Sequence, residues 1–125
     1  MSNEAHMKQA LNSYLEAFNA GDVAGIVALY ADDATVEDPV GTEVRSGRKP
    51  IEEFYGYAVA TGAKLRLDSP IRASRSNFAA MAFTVSVNHE GHDSQFRVID
   101  VMSFDENGKI ASMRAFWGES DIVQM

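Results

Sequence analysis

The spacing of apolar residues changes once along this chain, and that change limits its fold more than any other feature. Up to about residue 60 apolar positions recur every three or four residues, and from about residue 64 they recur every second residue. The first rhythm belongs to helices with one buried stripe, the second to strands with one buried face. Met7, Ala10, Leu11, Tyr14, Leu15 and Phe18 predict a helix over about 4–20. Gly21 can stop that helix and Asp22 can cap a second, whose apolar positions include Ile26, Val27, Leu29 and Tyr30. Ala34 to Asp38 alternates as a short strand ended by Pro39, which lacks a ladder donor. A third helix is predicted over about 48–60, with Pro50 in its first turn, Ile51, Phe54, Tyr55 and Ala58 on one side, and Gly62 just past its end.

Strands then follow. Leu65 and Leu67 alternate with polar neighbours; Ala79, Met81, Phe83, Val85 and Val87 share one face; Phe96, Val98, Met102 and Phe104 share another; Ala111, Met113, Ala115 and Trp117 line the last. Asn88-His89-Glu90-Gly91 and Asp105-Glu106-Asn107-Gly108 read as the turns between them. Helices first and an antiparallel meander second imply an α+β fold, with three helices in the concave face of a curved, mainly antiparallel sheet. Such a sheet leaves a conical cavity between itself and the helices. At 125 residues there is room for one domain, read as 1–125.

Strand parity places two carboxyls on the apolar side. Asp38 is in phase with Ala34 and Val36, and Asp100 is in phase with Phe96, Val98, Met102 and Phe104. An ionised carboxylate left unpaired there costs on the order of several kcal/mol, so Asp100 is expected to hold a proton. Each could instead meet a buried arginine or cap a backbone group, and for one misplaced aspartate that explanation weighs as much as function. Two of them, with Tyr14 on a buried helical stripe, tip the balance. Tyr30 and Tyr55 also lie on apolar stripes; three buried phenols can satisfy one another, but hydroxyls that reach separate backbone groups or water are the weightier explanation for these two. One carboxylate that accepts a proton and two neutral acids, Tyr14 and Asp100, that donate to a single oxygen form the set needed to remove a proton beside a carbonyl. That chemistry requires neither a metal nor an organic cofactor.

Other chemistries find less support. Eleven basic against eighteen acidic residues give a net charge of −7, which repels nucleic-acid backbones and anionic lipid. Zero cysteines remove disulfides, thiolate metal sites and a cysteine nucleophile. The start, Met1-Ser2-Asn3-Glu4, has no leader-like basic and apolar run, and a cytoplasmic protein is expected. His89 and His92 read as a solvated hairpin tip rather than a metal pair, and no GxGxxG, P-loop or GxSxG pattern occurs.

Tyr30-Ala31-Asp32-Asp33-Ala34-Thr35-Val36-Glu37-Asp38-Pro39-Val40-Gly41, with Tyr14, Phe54-Tyr55 and Val98-Ile99-Asp100-Val101-Met102, closely resembles the bacterial ketosteroid isomerases, within the nuclear-transport-factor-like superfamily. The resemblance covers nearly the whole chain. An aspartate base beside a tyrosine and a protonated aspartate is an arrangement already known in that family. The resemblance implies that Asp38 carries a proton from carbon 4 to carbon 6 of a 3-oxo-Δ5-steroid, while Tyr14 and Asp100 donate to the carbonyl oxygen. It further implies that Tyr30 and Tyr55 link to Tyr14, that Val40, Phe54, Phe83, Met113 and Trp117 form pocket wall, that no cofactor is used, and that the protein is a homodimer through the outer face of the sheet. Departures lie in 57–76 and in the C-terminal tail. The rival readings are a polyketide cyclase-like or epoxide hydrolase-like enzyme on the same fold, and a non-catalytic carrier of hydrophobic ligands, against which the misplaced Asp100 argues.

Overall fold

The computed structural model describes residues 3–124. Met1 and Ser2, on which part of the N-terminal reading falls, lie outside the described residues. In chain order the elements are α1 (Glu4–Asn19), α2 (Val23–Val27), β1 (Tyr30–Glu37), β2 (Arg45–Ser46), α3 (Arg48–Ala60), β3 (Lys64–Leu67), β4 (Arg72–Ala73), β5 (Phe78–His89), β6 (His92–Phe104), β7 (Ile110–Phe116), a 3₁₀ turn (Glu119–Asp121) and β8 (Ile122–Gln124). The strands form one sheet in the order β2-β1-β7-β6-β5-β3, with β4 added on β5 and β8 on β6. Every pairing is antiparallel except β1 with β7.

The predicted stripe of α1 is the buried one: Met7, Ala10, Leu11, Tyr14, Leu15 and Phe18 all face inward. Gly21, at φ 71°, ends the helix with two backbone bonds, Gly21 N–H to Phe18 O and Asp22 N–H to Ala17 O, which satisfy carbonyls that no longer have a helical partner. Asp22 then caps α2 by accepting from Gly25 N–H at 2.9 Å. Here the chain departs from expectation. The second helix is five residues long, and Tyr30 opens β1 instead of continuing a helical stripe. The cause is tertiary: Ile110 N–H donates to Leu29 O, and Tyr30 pairs with Ile110 in the parallel ladder to β7.

Asn19 joins α1 to the edge strand β3. Its side-chain amide donates to Leu65 O at 2.9 Å and its carbonyl accepts from Leu65 N–H at 2.8 Å, doing for the edge what another strand would do. The β5–β6 hairpin is the longest pairing, running from Phe78↔Ser103 to His89↔His92. Its reversal takes only Glu90 and Gly91, both at positive φ, so the strands extend further than the turn Asn88–Gly91 predicted. Between β6 and β7 the register slips after Ser103 and Ser112, so Ile110 is fully buried while Ala111, expected inside, is only half-buried. The pairings of β4 and β8 carry no sequence periodicity of their own and were not anticipated.

The three helices lie on the concave side of a curved mixed sheet. Its other face is water-exposed and carries an apolar pair in direct register, Ile99 opposite Phe116, at 49% and 42% exposure.

Candidate active site

α1, α3 and the inner face of β5 and β6 enclose a cavity of about 360 Å³, a size that holds a small organic ligand. Its walls are largely apolar, with Phe18 from α1, Phe54 and Ala58 from α3, Phe83, Val85 and Val87 from β5, and Phe96 and Val98 from β6. The polar groups that border it divide by position. Tyr57 is at the rim and 79% exposed. Thr61 has its hydroxyl occupied, donating to Ala58 O at 2.6 Å and accepting from Ala63 N–H at 3.2 Å. The others are Tyr14, Tyr55, Asp38, Asp100 and Trp117.

Asp100 reaches the cavity because it sits mid-strand on β6, flanked in register by Met81 and Ala115, both buried. It is 1% exposed, and neither of its carboxyl oxygens has a hydrogen-bond partner among the described residues. Burial pushes its pKa well above the ordinary carboxylate range, and the charge of Asp38 pushes it the same way. The shift favours the protonated form, whose proton has no acceptor among the described residues.

Asp38 follows the last residue of β1, and the Asp38–Pro39 peptide is cis. It is half-buried. Desolvation raises its pKa too, but two influences hold it down: the indole N–H of Trp117, which donates to Oδ1 at 2.9 Å, and the positive charge of Arg45. Of the two cavity carboxyls, only this one has a donor and a cation to stabilise its charge among the described residues. Asp38 therefore ionises first, and burial, reinforced by that charge, favours the protonated form of Asp100.

The three tyrosines meet as a chain of hydroxyls. Tyr14 Oη donates to Tyr55 Oη at 3.0 Å, and Tyr55 Oη lies 2.6 Å from Tyr30 Oη. Burial raises all three phenols above their ordinary value; Asp100 and Asp38 add to the shift of Tyr14 and Tyr30, and the two other tyrosines add to that of Tyr55. All three are neutral donors at any physiological pH. Tyr14 and Tyr55 border the cavity while Tyr30 stands behind them.

Of the residues expected in the wall, Phe54, Phe83 and Trp117 border the cavity, whereas Val40 and Met113 do not. Met113 is 1% exposed and packs in register between Met102 and Val36, within the core. Val40 lies beyond the end of β1, where its N–H donates to Ala115 O of β7 at 2.8 Å and it bridges to Thr42. Strand parity gave Met113 the correct face without giving its distance along the cone. Sequence reasoning missed the polar role of Trp117, read as wall, and missed Arg45 altogether. An arginine in phase with a buried valine on a neighbouring strand was the available signal, but the two-residue strand that carries it is too short to show a period.

Residues 11–113 match the SnoaL-like domain family. The chain belongs to that family. Among its relatives, this SnoaL-like protein is 46% identical over 121 residues to the steroid Delta-isomerase of Nocardioides simplex, an alignment covering 95% of each chain. It is 30% identical over 125 residues to the epoxide hydrolase LasB of Streptomyces lasalocidi, covering 97% of this chain and 44% of that longer one. Its fold superposes on the solved structure of SalBIII, an epoxide hydrolase/cyclase-like enzyme described for pyran ring formation in the polyether salinomycin, with a TM-score of 0.93, 30% identity and complete coverage of both chains. The protein is thus a steroid Delta-isomerase homologue on a fold shared with epoxide hydrolases and cyclases.

Proposed function

We propose that this protein is a steroid Δ-isomerase, converting 3-oxo-Δ5-steroids to 3-oxo-Δ4-steroids, with Asp38 as the base and Tyr14 and neutral Asp100 as donors to the steroid oxygen. The observation that carries the proposal is the pairing, in one apolar cavity, of a carboxyl supplied with a donor and a nearby cation and a second carboxyl supplied with neither. The 46% identity to a steroid Delta-isomerase supports the same reaction.

The ionised carboxylate of Asp38 removes a proton from carbon 4, and the electron pair of that C–H bond moves toward the carbonyl, whose oxygen becomes a dienolate oxyanion. Asp100 and Tyr14 hydrogen-bond that oxygen. To do so Tyr14 turns its proton toward the ligand and accepts one from Tyr55, which Tyr30 can supply in turn. Asp38 then returns its proton to carbon 6, so nothing is oxidised or reduced. Donors held in a dry site stabilise a developing oxyanion more than water does, because they need not reorient as the charge appears. The rigid, apolar rings gain from contact with Phe54, Phe83 and Trp117 at little ordering cost. The same reading includes a homodimer formed through the outer sheet face, where Ile99 and Phe116 are exposed together, and a cytoplasmic location, in keeping with an acidic, cysteine-free sequence. Ile99→Lys should shift the dimer to monomer in sedimentation velocity.

The test is conversion of a Δ5-3-ketosteroid, followed by growth of the ultraviolet absorption of the conjugated enone. Asp38→Asn should abolish turnover and retain steroid binding. A second reading, epoxide opening by Asp38 with Tyr14 and Asp100 as acids, is favoured by the 30% identity to LasB and SalBIII. It gains if steroid is neither bound nor turned over; binding without turnover identifies a carrier.

A further inference from the structure

Arg45 is an arginine on the wrong side of its strand. It pairs in register with Val36, whose side chain is fully buried, so both point to the inner face of the sheet. Its guanidinium does not turn back to water but lies over the ring of Phe54, 4.6 Å from the centroid. Nη1 is shielded from solvent and has no hydrogen-bond partner among the described residues. Nearby arginines behave differently: Arg48 pairs with exposed Asp32 at 3.0 Å, and exposed Arg114 pairs with half-buried Glu37 at 3.2 Å. A desolvated guanidinium with an unmade hydrogen bond costs stability, and an apolar side chain of the same length would fill this space at lower cost. Packing therefore does not explain the charge.

Its neighbours do. Phe54 borders the cavity and packs edge-on against Tyr55 at 4.9 Å, so the stacked arginine braces a wall that includes the tyrosine chain. We propose that Arg45 is a positioning residue for the isomerisation: stacked on Phe54 at the cavity wall, it supplies the positive charge that keeps the Asp38 carboxylate ionised in an apolar site. This rests on the functional reading above. Among the described residues, the titratable and charged groups that interact with Asp38 are Tyr14 on α1, Tyr30 on β1, Arg45 on β2 and Asp100 on β6, with the Trp117 indole beyond β7 hydrogen-bonded to it; Glu37 is occupied by Gly41 N–H and Arg114. Arg45 is the one cation in that set. Without it, the desolvation of Asp38 favours the protonated form and only the Trp117 N–H opposes it among the described residues.

The experiment compares wild type with Arg45→Met, Arg45→Gln and Arg45→Lys. The low-pH limb of kcat/KM should move upward by about one pH unit in the two neutral variants, as expected for losing one partly buried neighbouring charge, and stay within about 0.3 unit in the lysine variant. The rate at alkaline pH should hold or rise, because a less stabilised carboxylate is the stronger base. A purely structural role predicts the reverse: a lower alkaline plateau with an unmoved limb, and that result overturns the proposal. The ¹³C resonance of the Asp38 carboxyl, titrated in the same four proteins, gives a readout independent of turnover. Should the wild type lack isomerase activity, a displaced Asp38 titration would still support the electrostatic role while the functional reading fails; an undisplaced titration in whichever neutral variant folds refutes the role itself.

Discussion

The indole N–H of Trp117 donates to Asp38 Oδ1 at 2.9 Å across 79 positions of sequence, so a residue just past the last long strand favours the ionised form of a residue just past the first. Trp117 also packs edge-on against Phe96, with ring centroids 5.2 Å apart, which fixes the ring that carries this donor. The donor favours the carboxylate and opposes the upward pull of burial on the Asp38 pKa.

Trp117→Phe keeps the ring contact and removes the N–H. The pKa of Asp38 should rise, so the low-pH limb of kcat/KM should move to higher pH, with a loss at neutral pH of about tenfold or less. Because Trp117 is the single tryptophan, its fluorescence in the wild type should titrate with the same midpoint as that limb. Asp38→Asn should abolish the fluorescence titration, and its persistence there would detach the indole from the carboxyl.

Asp100 connects catalysis to stability. Its folded-state pKa is far above the unfolded value of about 3.9, so the folded protein binds the proton more tightly and stability falls as pH rises from about 4 toward the folded pKa. Asp100→Asn cannot ionise. Its melting temperature relative to wild type should therefore increase between pH 4 and pH 8, while kcat drops by roughly 10²-fold or more through loss of the acidic donor. Parallel melting curves across that range would contradict a neutral buried carboxyl.

Tyr14 and Tyr55 share one hydrogen bond but differ in their expected contributions. Tyr14→Phe removes a group proposed to touch the steroid oxygen and should lower kcat by roughly 10²- to 10³-fold, with a smaller change in KM. Tyr55→Phe acts only through Tyr14 and should cost about tenfold. If both variants lose activity equally, the order of donors assigned here is wrong.

Asn19 tests the fold apart from the chemistry. Asn19→Ala unpairs the N–H and C=O of Leu65, whose side chain borders the cavity. The cost should be about 1–3 kcal/mol, seen as a lower urea midpoint with an unchanged slope. The pH profile should not move, which separates this variant from those around Asp38.

Much of the molecule was legible in advance because local rhythm fixes which way a side chain points. The stripe on α1 placed Tyr14 inward, the boundaries of α3 were correct, and alternate residues of β5 and β6 placed Phe83, Val85, Val87, Phe96, Val98 and Asp100 on one face, where they border one cavity. Periodicity failed where a neighbour overrode it: Tyr30 was drawn into the β1–β7 ladder, and a register slip exchanged Ile110 for Ala111.

The sequence by itself determined the layers of this protein, the inward face of each element and the misplacement of an acid at position 100, since helical and strand periods are properties of a few consecutive residues. Tertiary structure alone decided which inward groups meet. It joined Trp117 to Asp38 and Tyr14 to Tyr55, laid Arg45 over Phe54, and left Met113 in the core and Val40 outside the cavity wall. These encounters depend on the curvature of the sheet, its register slips and the order of its strands, which are set by contacts between residues far apart in the chain and leave no trace in the spacing of any one segment.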